Sequence, residues 1–163
     1  MLIKAVGLVV MMRIRDKPVA ILQRRGEFNT EKMALETNPG VWQATMHETL
    51  RPDESFETGL NRGIFEELGK EAASILYRPE TEIIHEWTNE NYLKRFYWVS
   101  SDPNILRVIR LETSTGGIRP FTLKEVGQMT PLRESDAVKP EHKWVMFDTA
   151  LEAVKKAFVR YIH

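Results

Sequence analysis

The segment between residues 53 and 69 constrains the fold most strongly, because it has the pattern of a short, capped helix with one apolar side. Its apolar side chains recur at four-residue spacing: Phe56, Leu60, Ile64 and Leu68. Residues at this spacing share one side of a helix. Asp53 or Ser55 can cap the start of the helix, and Gly69 can end it. Such a helix needs another layer against which to bury its apolar side.

Strand patterns on both sides of this helix in the sequence supply that layer. Residues 5–14, 17–25, 41–50, 81–87, 92–100 and 105–113 are predicted to be extended. Residues 28–40 and 114–121 are predicted to be loops, and residues 146–163 a terminal amphipathic helix. The apolar run near residue 5 is too short to cross a bilayer, so we interpret it as a buried strand rather than a signal-peptide core. We therefore predict one α/β domain spanning residues 1–163, with helices packed on a mixed sheet.

Charge and cysteine content exclude several classes of protein. The formal net charge is zero, so bulk attraction to nucleic acid or to a membrane is not expected. The chain contains no cysteine, which excludes disulfides, thiolate zinc sites and cysteine nucleophiles. The absence of disulfides fits a cytoplasmic protein.

Two adjacent acids near the end of the predicted helix, Glu66 and Glu67, have two possible roles. They can form a solvated face in which Arg62 pairs with Glu66, four residues away. They can also hold one Mg²⁺ ion, which usually takes one or two carboxylates from a protein and leaves its other positions to water and phosphate. Gly63 lies between Arg62 and the acids, although glycine costs about 1 kcal/mol in a helix interior.

The spacing of these residues resembles the Nudix box, the motif of the Nudix hydrolase family. Six positions match the motif: Glu54, Arg62, Ile64, Glu66, Glu67 and Gly69. Three positions depart from it, because Glu48 stands in place of the first glycine, Gly63 in place of a glutamate and Lys70 in place of the last aliphatic residue. The order of predicted elements also matches, so the resemblance covers most of the chain. It implies a Nudix-type α/β/α sandwich with a mixed sheet.

The resemblance also implies an activity. Nudix hydrolases use Mg²⁺ or Mn²⁺ to cleave the diphosphate linkage of a nucleoside diphosphate derivative or a similar small molecule. Carried over to this chain, Glu66 and Glu67 would hold the metal, Arg62 would orient them and Glu54 would fix the loop before the helix. Nudix domains often pair, so a homodimer is a further expectation. The Nudix isopentenyl diphosphate isomerases rely on a cysteine, which this chain lacks.

The departures from the motif leave an alternative open. Gly63 removes one metal ligand and is expected to leave an empty notch beside the other two, which weakens the site. The chain can therefore instead be a catalytically impaired Nudix-fold protein that binds a nucleotide or a partner. Glu48 either supplies a replacement carboxylate or is a loop acid facing water. Three acids outside the motif are candidates for a catalytic base: Glu86, Glu90 and Glu125.

Other side chains are weaker candidates for the site. Arg24 and Arg25 can meet phosphate or face solvent. Six aromatic residues can stack on a nucleobase or pack in the core: Trp42, Trp87, Tyr92, Phe96, Tyr97 and Trp98. Three histidines are expected to be structural or solvent-facing rather than catalytic: His47, His85 and His142.

Overall fold

A mixed sheet of nine strands forms the centre of the protein in a computed structural model that describes residues 1–76, 81–138 and 144–163. The sheet strands are β1 (Ile3–Ile14), β2 (Lys17–Arg25), β5 (Trp42–Gln43), β6 (Met46–Thr49), β7 (Glu82–Thr88), β8 (Tyr92–Ser100), β9 (Thr115–Thr122), β10 (Thr130–Leu132) and β11 (Val145–Phe147). Strands β3 (Phe28–Asn29) and β4 (Ala34–Leu35) form a separate small hairpin. Within the sheet, β1 pairs antiparallel with β2 and β6 and parallel with β8.

Helices cover both faces of this sheet. They are α1 (Phe56–Leu68), α2 (Lys70–Leu76), α3 (Leu123–Val126) and α4 (Asp148–Ile162), with a 3₁₀ helix at Pro103–Arg107. Along β1, Leu8 and Val10 pack in the core that contains the buried side of α1. The alternating residues Val9 and Met11 pack in the core that contains α4. A strand buried on both faces explains the unbroken apolar run near the start of the chain, and the predicted α/β/α sandwich is confirmed.

Helix α1 has the predicted limits and the predicted apolar side. The Ser55 hydroxyl accepts a hydrogen bond of 3.1 Å from the backbone N–H of Thr58, so Ser55 is the N-cap. Gly69 ends the helix at φ 94°, a left-handed conformation that favours glycine. Leu60, Ile64 and Leu68 are buried against the sheet. The apolar stripe therefore fixes which side of α1 remains available for the acids.

Three predicted elements are wrong. Residues 114–121 are not a loop, because β9 pairs with β2 and Gly117 adopts φ 113° beside a register shift in that pairing. Residues 105–113 are not a strand; Asp102 caps the 3₁₀ helix through the N–H of Asn104, and Ile105 is buried in the core. Residues 28–40 are not entirely loop, since they contain the β3–β4 hairpin. Helix α2 is a further element that the sequence pattern does not predict.

No helix in the described ranges is long and apolar enough to cross a membrane.

Candidate active site

A cleft of about 1030 Å³ opens beside α1 and β6. Its polar lining includes residues of both charges: Arg24, Arg25, Glu31, Lys32, Glu36, Glu48, Arg51, Arg62, Glu66, Glu67 and Glu112. The volume lies at the upper end of the range for small-molecule sites. The cleft therefore brings the acids of α1 together with basic side chains of β2 and of the β3–β4 hairpin.

Arg62, which lines the cleft, makes its best-defined contact with Glu54 beside the cleft. The Arg62 Nε and Nη2 atoms donate to the two Glu54 oxygens at 2.8 and 2.9 Å, a bidentate geometry. Glu54 also accepts from the backbone N–H of Arg51 at 2.8 Å. The hydrogen bonds from Arg62 and Arg51 lower the pKa of Glu54 to about 2. The pair thus ties the loop before α1 to the helix, and Glu54 is ionised at neutral pH.

Arg62 also reaches the strand and the next turn of its own helix. Its Nη2 donates to the carbonyl of Thr49 at 3.1 Å, and its Nη1 lies 3.1 Å from Glu66. A second arginine, Arg51, lies 3.6 Å from the other Glu66 oxygen. The Glu66 carboxylate is therefore held between two guanidinium groups at the cleft wall, with 38% of its side chain exposed.

Glu67 has very different surroundings. It is only 8% exposed, and one oxygen accepts from the backbone N–H of His47 at 3.2 Å. Burial raises the pKa of Glu67 well above its usual range, and the Glu48 and Glu112 carboxylates raise it further. Among the described residues, no salt bridge involves Glu67, so the ionised carboxylate is poorly compensated. A cation in contact with it would favour the ionised form.

The predicted empty notch beside Gly63 is wrong. A Cβ atom on Gly63 would lie 2.7 Å from the Met46 sulfur and 3.0 Å from the Glu48 Cβ. Met46 and Glu48 both project from β6 toward α1, because alternate residues of a strand share a face. Gly63 is glycine because β6 packs directly against the helix there, and side chains of β6 fill the space.

Glu48 is not a loop acid facing water. It lies on β6, lines the cleft and has 24% of its side chain exposed. Its carboxylate lies 3.6 Å from Arg62 Nη1, the nitrogen that also contacts Glu66. Burial raises the pKa of Glu48, and the Arg62 charge partly offsets that effect.

Glu112 is a cleft acid that the sequence reasoning missed. It follows the 3₁₀ helix and precedes β9, and the Ser114 hydroxyl lies 3.4 Å from it. Burial raises the pKa of Glu112, and the Glu66 charge raises it further. The sequence around Glu112 does not indicate a role in the cleft. Glu112 lies in residues 105–113, whose structure the sequence pattern predicts wrongly.

The candidate bases lie elsewhere in the structure. Glu86 pairs with Arg95 across β7 and β8, and Glu125 forms a capping box with Thr122 at α3. In the described part of the chain, the cleft lining includes neither these two acids nor Glu90. A cleft acid that could take this role is Glu112, which is not among the three predicted candidates.

The aromatic residues and histidines serve mainly as packing groups. Trp42 packs edge-on against Phe121, and within the described ranges none of the six predicted stacking candidates lines the cleft. His47 lines the cleft and is half-buried; loss of hydration, with the positive charges of Lys94 and Arg25 nearby, lowers its pKa to about 3. His85 stacks near Phe96, away from the cleft. His142 lies outside the described residues.

The donor set of the cleft suits a hard divalent cation. Its candidate ligands are mainly carboxylates, and thiolates are absent; Mg²⁺ and Mn²⁺ prefer such oxygen ligands. Over residues 1–76, 81–138 and 144–163, no three acids or histidines already surround a common point closely enough to hold a metal. The present geometry instead engages Glu66 with arginines, so binding a cation would require its side chain to rotate.

Comparisons with known proteins identify the fold. No family model matches the chain, and no curated protein matches it. Among solved structures, the Nudix domain of Shewanella oneidensis NrtR, complexed with ADP ribose, has a TM-score of 0.66 at 15% identity and covers 99% of this chain and 89% of its own. A mutT/nudix family protein from Listeria innocua has a TM-score of 0.62 at 17% identity, covering 98% and 93%. A C. elegans Ap4A hydrolase has a TM-score of 0.59 at 14% identity, covering 99% and 98%.

Proposed function

We propose that this chain, which has the Nudix fold, is a divalent-metal-dependent hydrolase that cleaves the diphosphate linkage of a nucleoside diphosphate derivative or a similar small molecule. The observation that carries the proposal is the buried Glu67 carboxylate, which faces a large cleft without a cationic partner among the described residues. The solved structures with this fold include one bound to ADP ribose and one Ap4A hydrolase, which supports nucleotide derivatives as the substrate class.

In this proposal each cleft residue has a separate role. Glu66 and Glu67 would hold Mg²⁺ or Mn²⁺, which when bound would neutralise the diphosphate and activate water. Arg62 orients Glu66, while Glu54 fixes Arg62 through its bidentate contact. Both positioning residues act through Glu66, not on the substrate.

The other charged residues of the cleft have the properties that diphosphate hydrolysis requires. Arg24, Arg25 and Lys32 line the cleft and can neutralise substrate phosphates. Water adds to one phosphorus, the bond from that phosphorus to the bridging oxygen breaks, and two phosphate products leave. The proton lost by water passes to a cleft carboxylate. Glu112 fits this base role because its raised pKa makes it a better proton acceptor than an ordinary carboxylate.

A second candidate is a protein with the same fold that binds a nucleotide derivative or a partner without hydrolysis. The observation in its favour is the packing of Met46 against Gly63, which leaves no room there for another helix-borne carboxylate. A solved structure of the same fold, the C-terminal domain of mouse MUTYH, is in complex with human PCNA. Homodimer formation and a cytoplasmic location also stay predictions.

A turnover assay separates the two candidates. The purified chain is incubated with ADP-ribose, dinucleoside polyphosphates, nucleotide sugars and nucleoside triphosphates, each with Mg²⁺ or Mn²⁺, and the products are resolved by chromatography. We expect hydrolysis of at least one compound, abolished by EDTA and by Glu67→Gln. Absence of turnover, together with thermal stabilisation by a compound of the panel, would contradict the hydrolase and favour the binding protein.

A further inference from the structure

Glu48 stands where the motif has a glycine, and Gly63 stands where the motif has a glutamate. These two positions are neighbours in the structure. Gly63 and Glu67 are four residues apart on α1 and therefore share one helix side. The Cβ of Glu48 lies only 3.0 Å from the point where a Cβ of residue 63 would lie. The side chain of Glu48 thus begins almost where a side chain of residue 63 would begin, although it comes from strand β6.

The Glu48 carboxylate also turns toward the acids of α1. It lies 3.6 Å from Arg62 Nη1, and Glu66 lies 3.1 Å from the same nitrogen. One cationic group therefore already contacts the carboxylates of β6 and α1 together. The Glu48 side chain is 24% exposed and lines the same cleft as Glu67, so a cation entering from the cleft can reach both.

Steric exclusion makes the two positions mutually dependent. Met46 is fully buried and lies on the same face of β6 as Glu48, with its sulfur 2.7 Å from a Cβ at position 63. A glutamate at 63 and the present side chains of β6 cannot occupy this space without rearrangement. The chain can place an acid here from the strand or from the helix, and it does so from the strand.

We propose that Glu48 is a ligand of the divalent cation in this cleft and supplies from β6 the carboxylate that α1 lacks at Gly63. The inference rests on the proposed function only in that a divalent cation binds beside Glu67; it does not require hydrolysis. The cation would then have three glutamate ligands available: Glu48, Glu66 and Glu67.

The test is direct Mn²⁺ binding, measured without nucleotide by the loss of the free-ion electron paramagnetic resonance signal. Glu48→Gln keeps the shape of the side chain and removes its charge. We expect it to weaken Mn²⁺ binding at least about tenfold, a loss that even outer-shell partners of a metal can cause. Glu48→Asp keeps the charge but shortens the side chain, so we expect it to weaken binding as well. Glu31→Gln removes one charge from the exposed part of the same cleft and is the matched control, with an expected change below about threefold.

A second set of variants tests whether Mn²⁺ binding recovers when the carboxylate is moved from position 48 to position 63. Glu48→Gly alone should weaken Mn²⁺ binding. Adding Gly63→Glu together with Met46→Ala, which removes the sulfur that a Cβ at position 63 would meet at 2.7 Å, should restore binding to within about threefold of the unmodified chain, because the carboxylate returns from the helix side. Circular dichroism of each variant confirms that it is folded before the titration. Binding that stays lost in the folded triple variant would contradict the inference that positions 48 and 63 can supply the same carboxylate ligand.

The outcomes separate this inference from the proposed function. If the unmodified chain binds Mn²⁺, Glu67→Gln abolishes binding and Glu48→Gln leaves it unchanged, the role of Glu48 is refuted while the metal site stands. If the unmodified chain binds no Mn²⁺ at millimolar concentration, both are refuted. If Glu48→Gln weakens binding in a chain that hydrolyses nothing in the panel, the Glu48 ligand stands and the hydrolase does not.

Discussion

Replacing Gly63 with alanine tests the close contact between α1 and β6. In an exposed helix interior, this change stabilises a protein by about 1 kcal/mol, because alanine has the better helix propensity. Here the added methyl group would meet the Met46 sulfur at 2.7 Å and the Glu48 Cβ at 3.0 Å. Met46 is fully buried, so its side chain has little free space into which to move.

The two effects have opposite signs and can be compared. Forcing one extra methyl group into a packed core costs about 1–3 kcal/mol. After the helix gain is subtracted, we expect Gly63→Ala to destabilise the protein by about 1 kcal/mol. For a chain of 163 residues this corresponds to a decrease in Tm of about 2–4 °C. Differential scanning calorimetry in EDTA measures this change without a contribution from metal binding.

A double-mutant cycle shows whether Met46 causes the loss. Met46→Ala removes the sulfur and the terminal methyl group, the two Met46 atoms nearest to the added Cβ. In the Met46→Ala background, Gly63→Ala should therefore be neutral or stabilising, which gives a favourable coupling between the two substitutions. A Tm that rises when Gly63→Ala is made in the unmodified chain would refute the close packing of β6 on α1.

Three further predictions concern ionisable side chains of the cleft in the metal-free protein. Glu67→Gln should raise stability by about 1 kcal/mol at pH 8, because burial disfavours the charged form of this carboxyl and glutamine keeps an acceptor for the backbone N–H of His47; a lower Tm in calorimetry would contradict this. His47 is half-buried with a pKa of about 3, below its ordinary 6.5, so only the unfolded chain gains this proton as the pH falls from 6.5 toward 3. Urea unfolding should show that His47→Gln removes about 1.4 kcal/mol per pH unit of the stability loss over this range, and an unchanged slope would refute it. Arg62→Lys should cost about 1–3 kcal/mol in urea unfolding, because lysine cannot make the bidentate contact with Glu54; an unchanged midpoint would show that this contact contributes little.

The elements that the sequence predicted well are those whose stability is local or whose pattern is long. The four-residue apolar spacing, Ser55 and Gly69 define α1 without reference to the remainder of the chain. The apolar run of β1 is long enough to indicate a strand buried on both faces. That residues 1–163 form one domain stays a prediction.

The missed elements depend on partners that are distant in the sequence. Residues 114–121 contain two glycines and look like a loop, yet they form β9 because β2 offers an edge with which to pair. Residues 105–113 have apolar side chains at strand-like spacing, but Pro103 and the Asp102 cap favour a 3₁₀ turn at the start of that segment. Tertiary pairing and one local cap therefore outweighed the residue pattern.

The candidate site was predictable in part for the same reason. Glu54, Arg62, Glu66 and Glu67 lie within a short stretch of chain, and their helix spacing indicated that the last three could act together. Glu112 reaches the cleft from more than forty residues away, which no spacing rule can indicate. The packing of Met46 against Gly63 is likewise visible only when β6 and α1 are seen side by side.

The most direct test of the account is the position of Mn²⁺ in crystals soaked with the ion and located by anomalous scattering. We predict one peak at coordination distance, about 2.0–2.2 Å, from a Glu67 oxygen. Glu66 should have rotated away from Arg51 to join it. A peak elsewhere in the cleft, or no peak at millimolar Mn²⁺ with Glu66 still held by Arg51 and Arg62, would contradict the claim that the acids of α1 converge on one cation.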